Sequence, residues 1–287
     1  MNVLALCSGV GGGIELGLKL AEPTARTVCY VEREAYPLAV TLTRIREGYL
    51  DDAPIWSDVK SFDGTPWREK VDCITGGYPC QPFSVSGRRK GADDPRHLWP
   101  DIRRIIAEVQ PRFCFFENVA GHLQLGFESV WGDLRGLGYT VEAGLFTAAE
   151  VGAPHKRQRL FFLAHAGSSS GNRGGKSQQF QGKVQRRSDT LAHADGSRRW
   201  QKGYDQQPTS GIDRSSVRLL WPPYPDDSAG WAEALHIEPS LKPAIRRVAD
   251  GLPHRVDRLA ALGNSVVPAV AATAWRQLRK EAIGDTL

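Results

Sequence analysis

Val3-Leu4-Ala5-Leu6-Cys7-Ser8-Gly9-Val10-Gly11-Gly12-Gly13 is the stretch that decides the fold. Val3 to Cys7 has the character of a buried strand, it breaks on glycines, and Ile14, Leu16, Leu18 and Leu20 follow in a segment of helical composition. A strand that turns on glycines into a helix is the opening unit of an α/β sheet. Its turn lets a nucleotide-like ligand approach the backbone at the helix N-terminus. The spacing departs from the dinucleotide fingerprint, because the third small residue would stand where Ile14 is. No P-loop lysine follows, which speaks against a triphosphate.

Working outward, the same alternation repeats. Thr27 to Val31 reads as a strand ending at Glu32, and Ala35 to Arg46 as a helix with Leu38, Leu42 and Ile45 on one face. Ala53-Pro54-Ile55-Trp56 leads into Ser57-Asp58, and Val71 to Thr75 reads as a further strand. His97 to Val109 carries Leu98, Ile102, Ile105, Ile106 and Val109 at helical spacing, with Pro111 as its stop. Arg112 to Phe116 is a strand closing on Glu117-Asn118-Val119; Phe127 to Leu137 reads as helix, and Tyr139 to Phe146 and Arg159 to Leu163 as extended. This predicts a mostly parallel, Rossmann-like α/β sheet with helices on both faces over residues 1–165.

Beyond Ala166 the composition changes. Gly, Ser, Gln and Arg dominate to about Thr209, and aromatics return at Trp200, Tyr204, Trp221, Tyr224 and Trp231 among prolines. Val256 to Leu278 reads as a helical hairpin broken at Gly263-Asn264-Ser265. The expected organisation is a catalytic domain over 1–165, a basic, loop-rich module over 166–245 and a C-terminal helical segment over 246–287.

A chain of 287 residues, 41% hydrophobic and 24% charged, has an ordinary globular balance. No apolar run approaches the ~18 residues that span a bilayer. The first strand lacks the basic flank of a signal peptide, so a cytoplasmic protein is expected. Cys7, Cys29, Cys73, Cys80 and Cys114 contain no CxxC pair, which speaks for reduced thiols and against a zinc site or disulfide frame. The net charge of +5 is concentrated: between Ala166 and Leu220 ten basic residues stand against four acids. A local excess of this kind suits a polyanion, although a solvated basic linker explains charge alone equally well.

Gly76-Gly77-Tyr78-Pro79-Cys80-Gln81-Pro82-Phe83-Ser84 follows the strand Val71 to Thr75. Two glycines permit tight geometry, and Pro79 and Pro82 fix the backbone around Cys80. A thiol held at the carboxyl end of a strand can be a nucleophile; alone, the loop is equally consistent with a buried structural cysteine. Glu32 and Asp58 close strands after the glycine turn, where a carboxylate commonly takes ribose hydroxyls. Glu117 ends another strand, and Lys156-Arg157-Gln158-Arg159 precedes the run Leu160-Phe161-Phe162-Leu163. Each taken singly also fits a solvated or capping charge.

Their order is specific. Ser8-Gly9-Val10-Gly11-Gly12, Gly77 to Ser84, Glu117-Asn118-Val119, Lys156 to Arg159 and Gly263-Asn264-Ser265-Val266-Val267-Pro268 together resemble the DNA (cytosine-5) methyltransferase family, in the form of its short phage- and prophage-type members. The resemblance implies a fold that binds S-adenosyl-L-methionine (SAM), leaves S-adenosyl-L-homocysteine as product and needs no metal, with a target-recognition module inserted before the last motif. It implies Cys80 as the nucleophile toward C6 of a cytosine flipped from duplex DNA, Glu117 at the N3/N4 edge, and Arg159 at O2 with Arg157 in support. Ser8, Gly9, Val10, Gly11, Gly12, Glu32, Asp58, Val59, Pro79, Leu98, Asn264, Ser265 and Val266 would then surround the cofactor. Gln81, Ser84, Ser86, Arg88, Arg89 and Lys90 would belong to the loop that closes over DNA. Arg33 stands where many members have an aromatic residue, so adenine stacking would come from elsewhere or be weaker, and the family's ninth motif is replaced by Arg247 to Arg255.

Double-stranded DNA is thus the expected partner of a monomer, without a membrane, in a bacterial or phage-infected cell. A restriction endonuclease would be encoded separately. The nearest rival is RNA cytosine methylation; the tRNA-modifying relatives carry a Cys-Phe-Thr segment, whereas Phe146-Thr147 here follows Leu145. A DNA-binding protein on an inactive scaffold would not need the reactive residues that all five blocks retain. A nicotinamide oxidoreductase would leave Cys80 and Glu117 unexplained.

Overall fold

The side chains of the central strands alternate between two buried layers, which is why those strands read as near-continuous apolar runs. The computed structural model describes residues 1–79, 98–153, 155–167, 228–237 and 263–284. Seven strands, β1 (Asn2–Leu6), β2 (Arg26–Val31), β3 (Ile55–Trp56), β4 (Cys73–Gly76), β5 (Phe113–Val119), β6 (Tyr139–Phe146) and β7 (Arg159–Ala166), form one sheet in the order β3-β2-β1-β4-β5-β7-β6. β1 to β5 pair in parallel, while β7 runs antiparallel to both β5 and β6. The expected mostly parallel α/β architecture is therefore present, with one reversed strand.

Phe113, Phe115, Phe161 and Leu163 face one layer, where helices α1 (Gly13–Ala21) and α6 (Pro268–Ile283) contribute Ile14, Leu18, Val270, Ala274 and Trp275. Cys114, Phe116, Leu160 and Phe162 face the other, packed with Ile102, Ile105, Ile106, Val130 and Leu134 of helices α3 (Trp99–Val109) and α4 (Phe127–Gly136). The two remaining described helices are α2 (Ala35–Arg46) and α5 (Ser228–Ile237).

Helices α1 and α6 touch through glycines. A Cβ on Gly17 would stand 2.5 Å from both Ala271 Cβ and Pro268 O, and one on Gly13 would collide with Val266 O. We expect Gly17→Ala to destabilise the protein by roughly 1–3 kcal/mol through overpacking. That overrides the ~1 kcal/mol that the same exchange contributes in an open helix interior. Urea denaturation of the two proteins measures the sign.

Two expectations change in detail. The segment around Trp231, read as loop-rich, contains the helix α5, for which Ala229, Ala232, Ala234 and Leu235 supply good helix formers. The C-terminal helix begins at Pro268, suited to a first helical turn, and runs past Leu278 to Ile283. The first arm of the expected hairpin, residues 256–262, lies outside the described residues, as does nearly all of the module assigned to 166–245.

Candidate active site

Strand order places a ligand before any side chain is considered. From β1 the chain moves outward through β2 to β3, then returns to β4 on the other side of β1 and moves outward to β5. The switch point between β1 and β4 is where open α/β sheets bind ligands, beyond the carboxyl ends of their strands. Cys7 to Gly12 leave β1 there, and Gly77-Tyr78-Pro79 leave β4 beside them.

The turn after β1 is built from left-handed backbone. Cys7 (φ 49°), Gly9 (61°), Gly11 (74°) and Gly12 (60°) all have positive φ, which glycine adopts without strain and Cys7 does not. Glu32 holds the turn: its two carboxylate oxygens accept from the backbone N–H of Gly9 and of Glu34, each at 2.8 Å. Thr41 Oγ1 of α2 donates to Gly9 O at 3.4 Å. Two buried polar atoms flanking this turn, Ser8 Oγ and Glu15 Oε2, have no hydrogen-bond partner among the described residues. Glu15 Oε1 accepts from Thr75 Oγ1 at 2.7 Å, and burial pushes its carboxyl above the ordinary range.

Asp58 caps a short 3-10 turn, Val59–Ser61, by accepting from the Lys60 N–H at 2.9 Å. Arg104 of α3 fastens the same loop by donating to the carbonyls of Val59 at 3.1 Å and Phe62 at 2.9 Å, while Glu108 receives it at 2.8 Å. Arg104 was not distinguishable in sequence from an ordinary helical Arg–Glu pair; its role depends on the loop packed against it.

On the other side of the switch point, β5 and β7 register Glu117 opposite Phe161 and Val119 opposite Arg159. Glu117 and Arg159 are therefore diagonal neighbours on one face, and Arg159 Nε lies 3.0 Å from Glu117 Oε1. Burial pushes the Glu117 carboxyl up to about 7, against the opposing pull of Arg159 and Arg157. A Cβ on Gly77 would stand 3.6 Å from Glu117 Oε2, so the glycine leaves the space above the acid clear. Gly76 is held more tightly: a Cβ there would stand 2.7 Å from Leu6 O.

The C-terminal motif arrives at the same place. Arg157 Nη2 donates to Gly263 O at 2.8 Å and also to Ser265 O, and Arg159 Nη2 donates to Gly263 O at 3.2 Å. The structure thus brings together Glu117, Arg157, Arg159 and the Gly263–Ser265 segment on one side, and Ser8 to Gly12 with Glu32 on the other. Val59 is buried, Leu98 is half-buried at the start of α3, and Pro79 and Asn264 are exposed. Cys80, Gln81, Ser84, Ser86, Arg88, Arg89 and Lys90 lie outside the described residues.

The four described cysteines are free thiols. Burial, reinforced by Glu32 and Asp58, pushes Cys7 up to about 12, and burial raises Cys29 to about 11. Cys73 and Cys114 are raised further, again by burial. None of these thiols ionises at neutral pH, which leaves them poor nucleophiles. Among the described residues no group of His, Cys, Asp and Glu side chains could hold a metal ion, and no helix is long and apolar enough to cross a membrane.

Comparison with known proteins identifies the family and the fold. The family model of C-5 cytosine-specific DNA methylases matches residues 1–210. The Type II methyltransferase M.NgoMIV of Neisseria gonorrhoeae is 32% identical over 169 residues, covering 56% of this chain and 50% of that protein. M.Eco47II of Escherichia coli is 33% identical over 173 residues, covering 57% of this chain and 39% of that protein. The matched part is thus about half or less of these curated relatives. The solved structure of S. pombe Dnmt2 methyltransferase shares the fold, with a TM-score of 0.58 at 16% identity over 98% of this chain and 99% of that one.

Proposed function

The chain belongs to the C-5 cytosine-specific DNA methylase family, and from that premise we propose that it transfers a methyl group from SAM to C5 of a cytosine flipped out of duplex DNA. The observation that carries this reading is the Glu117–Arg159 pair, 3.0 Å apart, on the face of the sheet next to the strand end that leads through Pro79 to Cys80.

The turn after β1 fits the proposed cofactor. Its left-handed glycines keep side chains away from the ligand, and Ser8 Oγ offers a buried hydroxyl with no described partner. Glu32 is fixed by two backbone N–H groups, and each carboxylate oxygen keeps a lone pair for a ribose hydroxyl. Ser8, Gly9 to Gly12, Glu32, Asp58, Val59, Pro79, Leu98 and Asn264 to Val266 would hold the cofactor, which supplies an electrophilic methyl group when bound.

The remaining work falls to side chains. Cys80, as thiolate, adds to C6 and pushes electron density onto C5, which makes that carbon nucleophilic. A carboxyl with its pKa near 7 can donate a hydrogen bond to N3 at neutral pH, so Glu117 offsets the charge that addition places on the ring. Arg159 holds Glu117 and would meet O2, while Arg157 ties the site to the Gly263 and Ser265 carbonyls. Once the methyl is in place, a base takes the C5 proton and the Cys80–C6 bond breaks, returning the thiolate. Gln81, Ser84, Ser86 and Arg88 to Lys90 would belong to the loop that closes over DNA, and the basic segment after Ala166 would select the sequence.

The enzyme is expected to act as a monomer, paired with a separately encoded endonuclease or as a protective modification enzyme. Incubation with tritiated SAM tests the substrate class: label should enter long duplex DNA and not bulk tRNA. Preferential labelling of tRNA would overturn the DNA reading.

A further inference from the structure

Tyr78 follows β4 and lies two residues before Cys80 in the chain. It is held at both ends. Its backbone carbonyl accepts from Asn118 Nδ2 at 3.1 Å, and its hydroxyl lies 2.8 Å from His122 Nε2. Its ring packs between Trp99 at 5.5 Å and Phe116 at 6.1 Å, with the His122 ring edge-on at 5.6 Å. The hydrogen-bond direction follows from the other ring nitrogen. His122 Nδ1 is 3.0 Å from Leu125 O, a carbonyl that can only accept, so Nδ1 carries the proton and Nε2 accepts from the Tyr78 hydroxyl. Burial pushes His122 down to about 4, which keeps the ring neutral and this arrangement intact at neutral pH.

Asn118 and His122 both belong to the segment that presents Glu117, since β5 runs through Asn118 to Val119 and His122 sits in the 3-10 turn Ala120–Leu123 directly after it. Two hydrogen bonds therefore join the chain entering Cys80 to the chain carrying the acid. We propose that His122 is a positioning residue for methyl transfer, acting through the Tyr78 hydroxyl to fix the segment leading into Cys80 relative to Glu117. The inference rests on the methyl-transfer reading above; His122 touches neither substrate nor cofactor in it.

Tyr78→Phe removes the hydroxyl and keeps the ring packing, His122→Leu removes the acceptor, and His122→Gln offers an amide oxygen in its place. Misplacement of reacting groups by about 1 Å costs up to ~100-fold, so kcat for tritium transfer to DNA should fall roughly 10- to 100-fold in Tyr78→Phe and in His122→Leu. KM for SAM should stay unchanged, the double variant should be no slower than the slower single one, and His122→Gln should be faster than His122→Leu. A Tyr78→Phe protein that turns over at the wild-type rate overturns the inference and leaves the methyl-transfer reading standing. So does a loss of kcat that only matches a loss of folded protein, measured by near-ultraviolet circular dichroism. A wild-type protein without any transfer overturns both.

Discussion

Cys80→Ser should leave no measurable methyl transfer while the protein still folds, binds SAM and binds duplex DNA. The expected loss is roughly five orders of magnitude or more, the scale on which removal of a covalent nucleophile acts in well-studied hydrolases. The reason is that addition to C6 needs an anion at neutral pH. A serine hydroxyl is far less acidic than a thiol and has no adjacent base assigned to it here. No described thiol can substitute. Cys73 and Cys114 are buried in β4 and β5, Cys29 in β2, and Cys7 is held near 12 by burial and by Glu32 and Asp58. The test pairs tritium transfer with SAM binding by calorimetry, so that a folding defect is seen separately. Wild-type activity in Cys80→Ser would remove covalent catalysis from the account.

Glu117→Gln should lower kcat/KM by about 100- to 1,000-fold, within the range that a positioned general acid contributes. Glutamine keeps a hydrogen-bond donor but cannot carry a transferable proton, and it leaves the Arg159 guanidinium without its carboxylate 3.0 Å away. The pH dependence gives a second readout. Glu117 is shifted from 4.5 to about 7 by burial, with Arg159 and Arg157 opposing the shift. In the wild type kcat/KM should therefore fall as pH rises through about 7 and the acid loses its proton; in Glu117→Gln that limb should vanish. Stability follows the same sign. The folded protein binds this proton more tightly than the unfolded chain, so the contribution is complete below 4.5 and is lost as pH rises through about 7. The glutamine variant should show a flatter dependence of unfolding free energy on pH across that window. A wild-type limb that persists unchanged in the variant would assign it to another group.

Much of the fold was legible because strand ends and glycine turns are local features. The opening strand, its glycines and the Ala35–Arg46 helix can be read from neighbouring residues, and so can the strand ends at Glu32 and Glu117. What was not legible depends on partners far along the chain. Nothing near Gly13 and Gly17 in sequence states their role, yet their missing side chains make room for Val266, Pro268 and Ala271. The pairing of β5 with the reversed strand β7 sets Arg159 beside Glu117, and nothing in either motif alone states that register. His122 reads as an isolated histidine after Glu117-Asn118-Val119, and only the packing of β4 against β5 brings it to Tyr78. Arg159 reads as a ligand for the cytosine O2 with Arg157 in support; in the structure the two also bind the carbonyls of Gly263 and Ser265, which joins the last motif to the acid.

Bisulfite sequencing of DNA from a methylation-deficient bacterial host expressing this protein tests C5 methylation of cytosine in a defined duplex sequence. Cytosines should be protected at one recurrent short sequence in cells making the wild-type protein, and none should be protected in cells making Cys80→Ser. Uniform conversion with the folded wild-type protein present, or the same protection with Cys80→Ser, would contradict it.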